Sequence, residues 1–103
     1  VQAELENAIL TRANLSCACM YEANLINSDL SYTDLTFTIL HNATINNANL
    51  TGADIRGAAM SQTRFYEANL TECNFRKSRM YDVRFEGVIF CNTIMSDGSI
   101  RNS

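Results

Sequence analysis

Large apolar residues recur at every fifth position of this 103-residue chain, from Leu5 to Ile100. The residue two places before each of them is always small: Ala, Ser, Thr, Cys, Val or Gly. An amphipathic helix repeats about every 3.6 residues and a half-buried strand about every 2, so neither element gathers these positions on one face. A chain that turns a corner every five residues does gather them. The pattern therefore predicts a solenoid whose core is filled by the residues numbered in multiples of five.

Residues 20 positions apart match in type, which sets the length of one coil. Asn7, Asn27 and Asn47 form one such column. Hydroxyl residues and a cysteine form another: Thr11, Ser31, Thr51, Thr71 and Cys91. Five-residue sides give a 20-residue coil four sides, and backbone hydrogen bonds join successive coils at the strand spacing of about 4.8 Å. We therefore predict an all-β fold, a quadrilateral parallel β-helix (β-solenoid) of about five four-sided coils.

Short motifs of one type follow this register along the chain. They are ANL, SDL, TDL and ADI, and they begin at Ala13, Ala23, Ser28, Thr33, Ala48, Ala53 and Ala68. The set resembles the pentapeptide-repeat family, A-(D/N)-L-X-X, over essentially the whole chain. The resemblance implies that the β-helix is right-handed. The ending FCNTIMSDGSIRNS, from Phe90 to Ser103, is similar to a closing segment of cyanobacterial members. We expect a single domain, 1–103, whose C-terminal tail, about 96–103, is irregular and folds across the last coil.

Charge is modest overall but unevenly distributed. The net charge is −3, with six acids against one base up to Ile55 and seven bases against five acids from Arg56 onward. Most of the bases lie late in the chain, at Arg56, Arg64, Arg76, Lys77, Arg79 and Arg84. Acidic residues are interleaved with them, so we interpret these faces as solvated and mutually compensated. We expect no direct binding of nucleic acid.

The residues that usually carry catalysis or metal binding are sparse. The single histidine, His41, falls in a column with Ser61, but a convex wall gives a nucleophile and base neither a pocket nor oxyanion donors. The four cysteines lack the C-x-x-C spacing of redox and zinc sites, so we expect four free thiols. We therefore predict no enzymatic activity, no catalytic or metal-binding residues, no cofactor and no small-molecule substrate.

One strip of the outer surface is apolar and uncharged through three coils. Cys17 and Phe37 lie in one column with Gly57, and Cys19, Ile39 and Ala59 lie in the neighbouring column. An apolar strip with a polar rim often marks a contact surface. Two other readings stay open, namely that these residues simply pack outside a corner or that the tail covers them. The contact reading predicts a protein-binding site at Cys17, Cys19, Phe37, Ile39 and Ala59.

A rod with regular walls and no cleft suits binding better than catalysis. The leading hypothesis is a non-enzymatic scaffold that binds another macromolecule, an unidentified protein, through its outer faces. No apolar run reaches membrane-spanning length and no secretory leader is present, so we expect no membrane insertion. A soluble protein of the cytoplasm is expected or, where a leader has been removed, of the periplasm or thylakoid lumen. End-to-end self-association through the open ends of the rod stays open.

The resemblance also supplies a rival function. Quinolone-resistance members of the family mimic DNA and so shield type II topoisomerases such as DNA gyrase. That role implies a long acidic rod dimerised through a C-terminal helix, whereas this rod is short and its later coils are net basic. Ice binding through the Thr11–Thr71 column is a third possibility, but the neighbouring column, with Ile9, Asp29 and Asn49, lacks a second row of threonines.

Overall fold

The chain winds into coils of 20 residues. A computed structural model describes residues 2–103, so Val1 of the expected domain lies outside the described residues. Fifteen isolated parallel β-bridges each join a residue to the one 20 positions later, from Glu4–Asn24 to Asn74–Ile94. Around each bridge the backbones hydrogen-bond across the coils, as where the Leu5 N–H donates to the Asn24 carbonyl at 2.8 Å. The coil length is the one that the sequence columns predict.

A tight turn follows most of the large apolar residues. At the first corner the Ala8 N–H donates to the Leu5 carbonyl at 3.0 Å, and Asn7 between them has a φ of 62°. A positive φ at the third position is what a type II turn requires. Asparagine and glycine accept this conformation more readily than other residues, and they occupy many of these corners. Five-residue sides are therefore a consequence of turn chemistry as well as of hydrophobic spacing.

Aspartate or asparagine before the large residue stabilises the turn that follows it. The Asp34 carboxylate accepts the Thr36 N–H at 3.0 Å and the Thr36 hydroxyl at 2.6 Å. An asparagine does the same at Asn69, whose side-chain oxygen accepts both donors of Thr71. Such side-chain bonds to the backbone two residues on form Asx-turns. This local bond explains why the outward position of the repeat favours these two residue types.

The inward residues form one continuous core. The large residues from Leu25 to Phe75 are fully buried, and aromatic rings fill the later coils, where Phe65 and Phe85 stack with centroids 5.3 Å apart. Most hydroxyls at the small inward positions hydrogen-bond to carbonyls, and the buried hydroxyl of Ser78 is the exception. The Thr33 hydroxyl donates to the Leu30 carbonyl and the Thr63 hydroxyl to the Leu40 carbonyl, each at 2.7 Å. Threonine thus enters the core without an unpaired polar group.

The C-terminal segment turns back on the last coil. Strands β1 (Thr93–Ile94) and β2 (Ile100–Arg101) pair antiparallel, Thr93 with Arg101 and Ile94 with Ile100. The Arg101 guanidinium lies 4.0 Å from the centroid of the Phe90 ring and helps to cover this end of the core. Part of the segment predicted to be irregular, 96–103, is therefore β2.

The inward register ends before Ile100, which corrects one prediction. The repeat places Ile100 in the core, but its side chain is 64% exposed. The cause is a reversal of the chain, in which Gly98 has a φ of 86° and the Met95 N–H donates to the Ser99 carbonyl at 2.8 Å. The last five-residue step becomes a hairpin instead of another side of the coil.

Within residues 2–103, no other coil packs on the outer side of the first coil. Its large residues Leu5, Leu10 and Leu15 are therefore only partly buried, whereas the same column positions one coil later are fully covered. The whole molecule measures 34 × 23 × 21 Å. Residues 2–103 form no helix that is long and apolar enough to cross a membrane.

Candidate functional site

An exposed phenylalanine ring is held in place at the corner formed by Thr36 and Phe37. Phe37 is 64% exposed and occupies the turn position with a φ of 58°. Its ring lies against Gly57 of the next coil, where a Cβ would come within 2.6 Å of the ring. Gly57 has a φ of 69°, a conformation that glycine adopts without strain, and its lack of a side chain leaves room for the Phe37 ring. The glycine lets the ring lie flat along the corner.

The same construction recurs at the neighbouring corner of the rod. The ring of Tyr32 lies against Gly52, and a Cβ there would come within 2.5 Å of the ring. Arg12 of the preceding coil lies over the other side of this ring, 4.9 Å from its centroid. One face of the rod, with Asp34 at its centre, is thus bordered by an aromatic residue on each side.

The structure brings the residues of the predicted contact strip together. Cys19, Ile39 and Ala59 follow one another in successive coils through parallel bridges. Ile39 is 40% exposed, and Cys17 and Cys19 are exposed. The C-terminal tail does not cover these side chains, which removes one of the two other readings of the strip. The strip, which includes Phe37, therefore lies on an open surface.

A groove with basic walls runs along the corner beyond Phe37. Its volume is about 390 Å³, and it is lined by Thr36, Phe37, Arg56, Gly57, Arg76 and Lys77. Arg56 donates from Nε and Nη2 to the two oxygens of Asp54, at 2.8 and 2.6 Å. These hydrogen bonds to Asp54 raise the pKa of Arg56. The groove combines an apolar wall with three cations, of which only Arg56 has a carboxylate partner among residues 2–103.

Arg76 and Lys77 line this groove, and the sequence interpretation did not single them out as candidate site residues. Residues 2–103 contain two ion pairs, Arg56–Asp54 at 2.6 Å and Arg84–Asp82 at 3.4 Å. Neither pair includes Arg76 or Lys77, so the bases of this groove other than Arg56 have no carboxylate at contact distance among these residues. The 20-residue period does contain the signal, because it places Arg76 one coil after Arg56 and Lys77 one coil after Gly57.

His41 and Cys73 make hydrogen bonds to the backbone of other coils. The Ser61 N–H donates to His41 Nδ1 at 3.2 Å, so the contact between this pair is made through the backbone and not through the serine hydroxyl. Burial raises the pKa of the Cys73 thiol, which contacts the Leu50 carbonyl at 2.8 Å. Within 2–103 no three His, Cys, Asp or Glu side chains come close enough to hold a metal ion.

A second groove, of about 300 Å³, is polar and is lined by Asn42, Gln62, Arg64, Tyr66, Asp82 and Arg84.

Solved structures similar to this one include proteins from a plant and from a cyanobacterium. A pentapeptide repeat protein from the Arabidopsis thaliana thylakoid lumen is 21% identical with a TM-score of 0.71, over 96% of this chain and 66% of that one. The chain thus spans just under two thirds of that protein. The cyanobacterial pentapeptide repeat protein Rfr23 of Cyanothece 51142 is also 21% identical, with a TM-score of 0.51, over 84% of this chain and 82% of that one.

QnrB1, a plasmid-mediated fluoroquinolone resistance protein, is 16% identical with a TM-score of 0.49, over 90% of this chain and 63% of that one, a likeness too weak to bear on function. No curated protein matches the chain significantly. The family model for pentapeptide repeats does match, with eight copies, over residues 1–25, 18–57 and 58–97. Since these matches extend through nearly the whole chain, and the coils show the matching five-residue turns, the chain belongs to the pentapeptide-repeat family.

Proposed function

We propose that this protein is a non-enzymatic interaction protein that binds a partner protein through the corner at Phe37. The observation that carries the proposal is the exposed Phe37 ring, held against Gly57 with 64% of the residue accessible. Ile39 and Ala59 extend the apolar surface along the adjoining wall. Aromatic residues that are exposed and already ordered lose little entropy on binding and are frequent centres of binding energy.

The test is partner capture with a matched control. The bait is the whole chain, and captured proteins are identified by mass spectrometry. Phe37→Ser combined with Ile39→Asn should abolish capture while the circular dichroism spectrum stays unchanged. The control is Ile89→Asn, which removes another exposed apolar residue, 54% accessible, from a different face. The assignment of the Phe37 corner as the binding site is refuted if the double variant still captures the partner. It is also refuted if the control variant loses capture to the same extent.

The rival function, protection of DNA gyrase by mimicry of DNA, is disfavoured by the charge pattern. DNA mimicry needs carboxylates along the rod, but the outward column that begins with Glu4 ends in Arg64 and Arg84. A supercoiling assay with purified gyrase, with and without a quinolone, separates the two functions. Inhibition of supercoiling or protection from the drug would favour the rival.

Finer features of the fold belong to the same proposal. We infer one domain, 1–103, wound as a right-handed helix with four sides, because four turns and four bridges occur in each 20-residue coil and members of the family form right-handed β-helices. The open first coil, with Leu5 partly exposed, makes end-to-end self-association testable by analytical ultracentrifugation. We propose that the protein acts in the cytoplasm or, if a leader is removed, in the periplasm or thylakoid lumen.

A further inference from the structure

We propose that the groove beside Phe37 binds an acidic peptide segment of the partner, with one apolar side chain on the Phe37 ring and carboxylates on Arg76 and Lys77. The inference rests on the proposed function and specifies the chemistry of the partner. It concerns the groove of about 390 Å³, which shares Phe37 and the underlying Gly57 with the apolar columns of the strip.

The charges of the groove are available to a ligand. The Lys77 N–H donates to the Ser96 carbonyl at 2.9 Å, which fixes the backbone, while the ammonium has no carboxylate partner among residues 2–103. Arg76 lies against Gly98, with its guanidinium 2.8 Å from the position a Cβ would take, and it too lacks an acidic partner. The nearby Asp97 carboxylate accepts the Ser99 N–H and hydroxyl, at 2.9 and 2.6 Å, and so stabilises its own turn.

Stacking the coils places like charges next to each other. Arg56 and Arg76 occupy the same column in successive coils, and the backbone is joined there by the bond from the Gly57 N–H to the Arg76 carbonyl, at 3.1 Å. Like charges on neighbouring strands repel each other. Asp54 pairs with Arg56 but not with Arg76 or Lys77. A carboxylate supplied by a partner would reduce the repulsion between these cations and form charge-assisted hydrogen bonds with them.

The dimensions of the groove favour a short segment. Its volume lies near the lower end of the range of roughly 300–1,000 Å³ for ligand clefts, which suits a few residues and not a folded domain. The Phe37 ring supplies the apolar contact and is already ordered against Gly57. The arrangement therefore fits one apolar anchor residue flanked by aspartate or glutamate.

A nucleic acid fits the surroundings less well than a peptide. The chain carries a net charge of −3, and Asp34 and Asp54 lie on the adjoining face, in successive coils. A phosphate backbone that extended beyond the groove would meet these carboxylates. A short acidic peptide can place its carboxylates on the cations of the groove without extending to Asp34 and Asp54.

The test uses an array of random dodecapeptides and the whole chain. Bound peptides should be enriched in aspartate and glutamate beside one leucine, phenylalanine or tryptophan. Fluorescence anisotropy with the best labelled peptide should show an affinity that falls with rising salt. Lys77→Glu should weaken this affinity by about tenfold, because an attractive charge becomes repulsive. The variant should fold, because Glu67 and Glu72 already occupy the same turn position with φ values of 59° and 58°.

The control is Arg64→Glu, which makes the same charge change outside the groove, in the second, polar one. Its affinity for the peptide should stay within about twofold of the unmodified chain. Enrichment of neutral or basic peptides, an equal loss in the control, or no peptide binding overturns the inference. A labelled single-stranded DNA oligonucleotide that binds with the same dependence on Lys77 also overturns it. Partner capture that is lost in the Phe37 double variant would still support the proposed function in each of these cases.

Discussion

Replacing Gly57 by alanine tests the construction of the Phe37 corner. The new Cβ would lie 2.6 Å from the Phe37 ring, so the ring must leave its position. Alanine at a φ of 69° costs about 1 kcal/mol in backbone strain. Phe37 is 64% exposed, and the covered third of an aromatic side chain, about 70 Å², contributes about 2 kcal/mol. Gly57→Ala should therefore lower the free energy of unfolding by about 2–3 kcal/mol.

Gly87→Ala provides the matched control for backbone strain. Gly87 has a φ of 66°, but the nearest atom to an added Cβ is Cγ of the flexible Glu67 side chain, at 3.2 Å. Its replacement should cost about 1 kcal/mol, from the backbone alone. Urea unfolding followed by circular dichroism gives both values, with the slope of the transition checked for constancy.

A double-mutant cycle isolates the contact between the ring and the glycine. In a Phe37→Ala background the Gly57→Ala change should cost only the backbone strain, about 1 kcal/mol, which leaves a coupling of about 1–2 kcal/mol. Equal costs of Gly57→Ala with and without the ring would refute the reasoning. A cost no larger than that of Gly87→Ala would do the same.

Three further outcomes follow from the core, the thiols and the Asx-turns. Leu50→Ala should lower the free energy of unfolding by about 2–5 kcal/mol, because Leu50 is fully buried, and a loss below about 1 kcal/mol in urea unfolding would contradict the inward register. A thiol reagent should label the three exposed cysteines of the folded protein and reach Cys73 only after unfolding, since this thiol is buried; rapid labelling of all four would be inconsistent with the structure. The hydrogen bond from the Thr36 hydroxyl lowers the pKa of Asp34 below its ordinary 3.8, so its stabilisation is present above that pH and is lost as the pH falls through the folded-state value. Asp34→Asn should therefore lose less stability than the unmodified chain between about pH 5 and pH 2 in parallel urea titrations, and an unchanged pH dependence would count against the Asx-turn as the cause.

The sequence by itself determined the coil and its interior. A period of five cannot be satisfied by one helix face or one strand face, and matching residues 20 apart fix the coil length. Leu50 and Phe75 are buried as this register requires. Local chemistry supports the same solution, since Asp34 and Asn69 stabilise their own turns through bonds that span two residues. Where short-range bonds and hydrophobic spacing agree, a sequence is sufficient to predict the fold.

The tertiary structure alone decided the ends of the rod and the chemistry of its corner. Ile100 continues the apolar period, yet the reversal at Gly98 places it outside the core. The sequence does not show which basic residues contact a carboxylate. Among residues 2–103, the structure pairs Arg56 with Asp54, two positions before it, and gives Arg76 and Lys77 no ion pair. The physical reason is that an ion pair needs side-chain atoms within a few ångströms of each other, which depends on side-chain conformation, whereas a sequence pattern specifies residue type and register. The path of the chain at an end likewise depends on contacts that no repeat encodes.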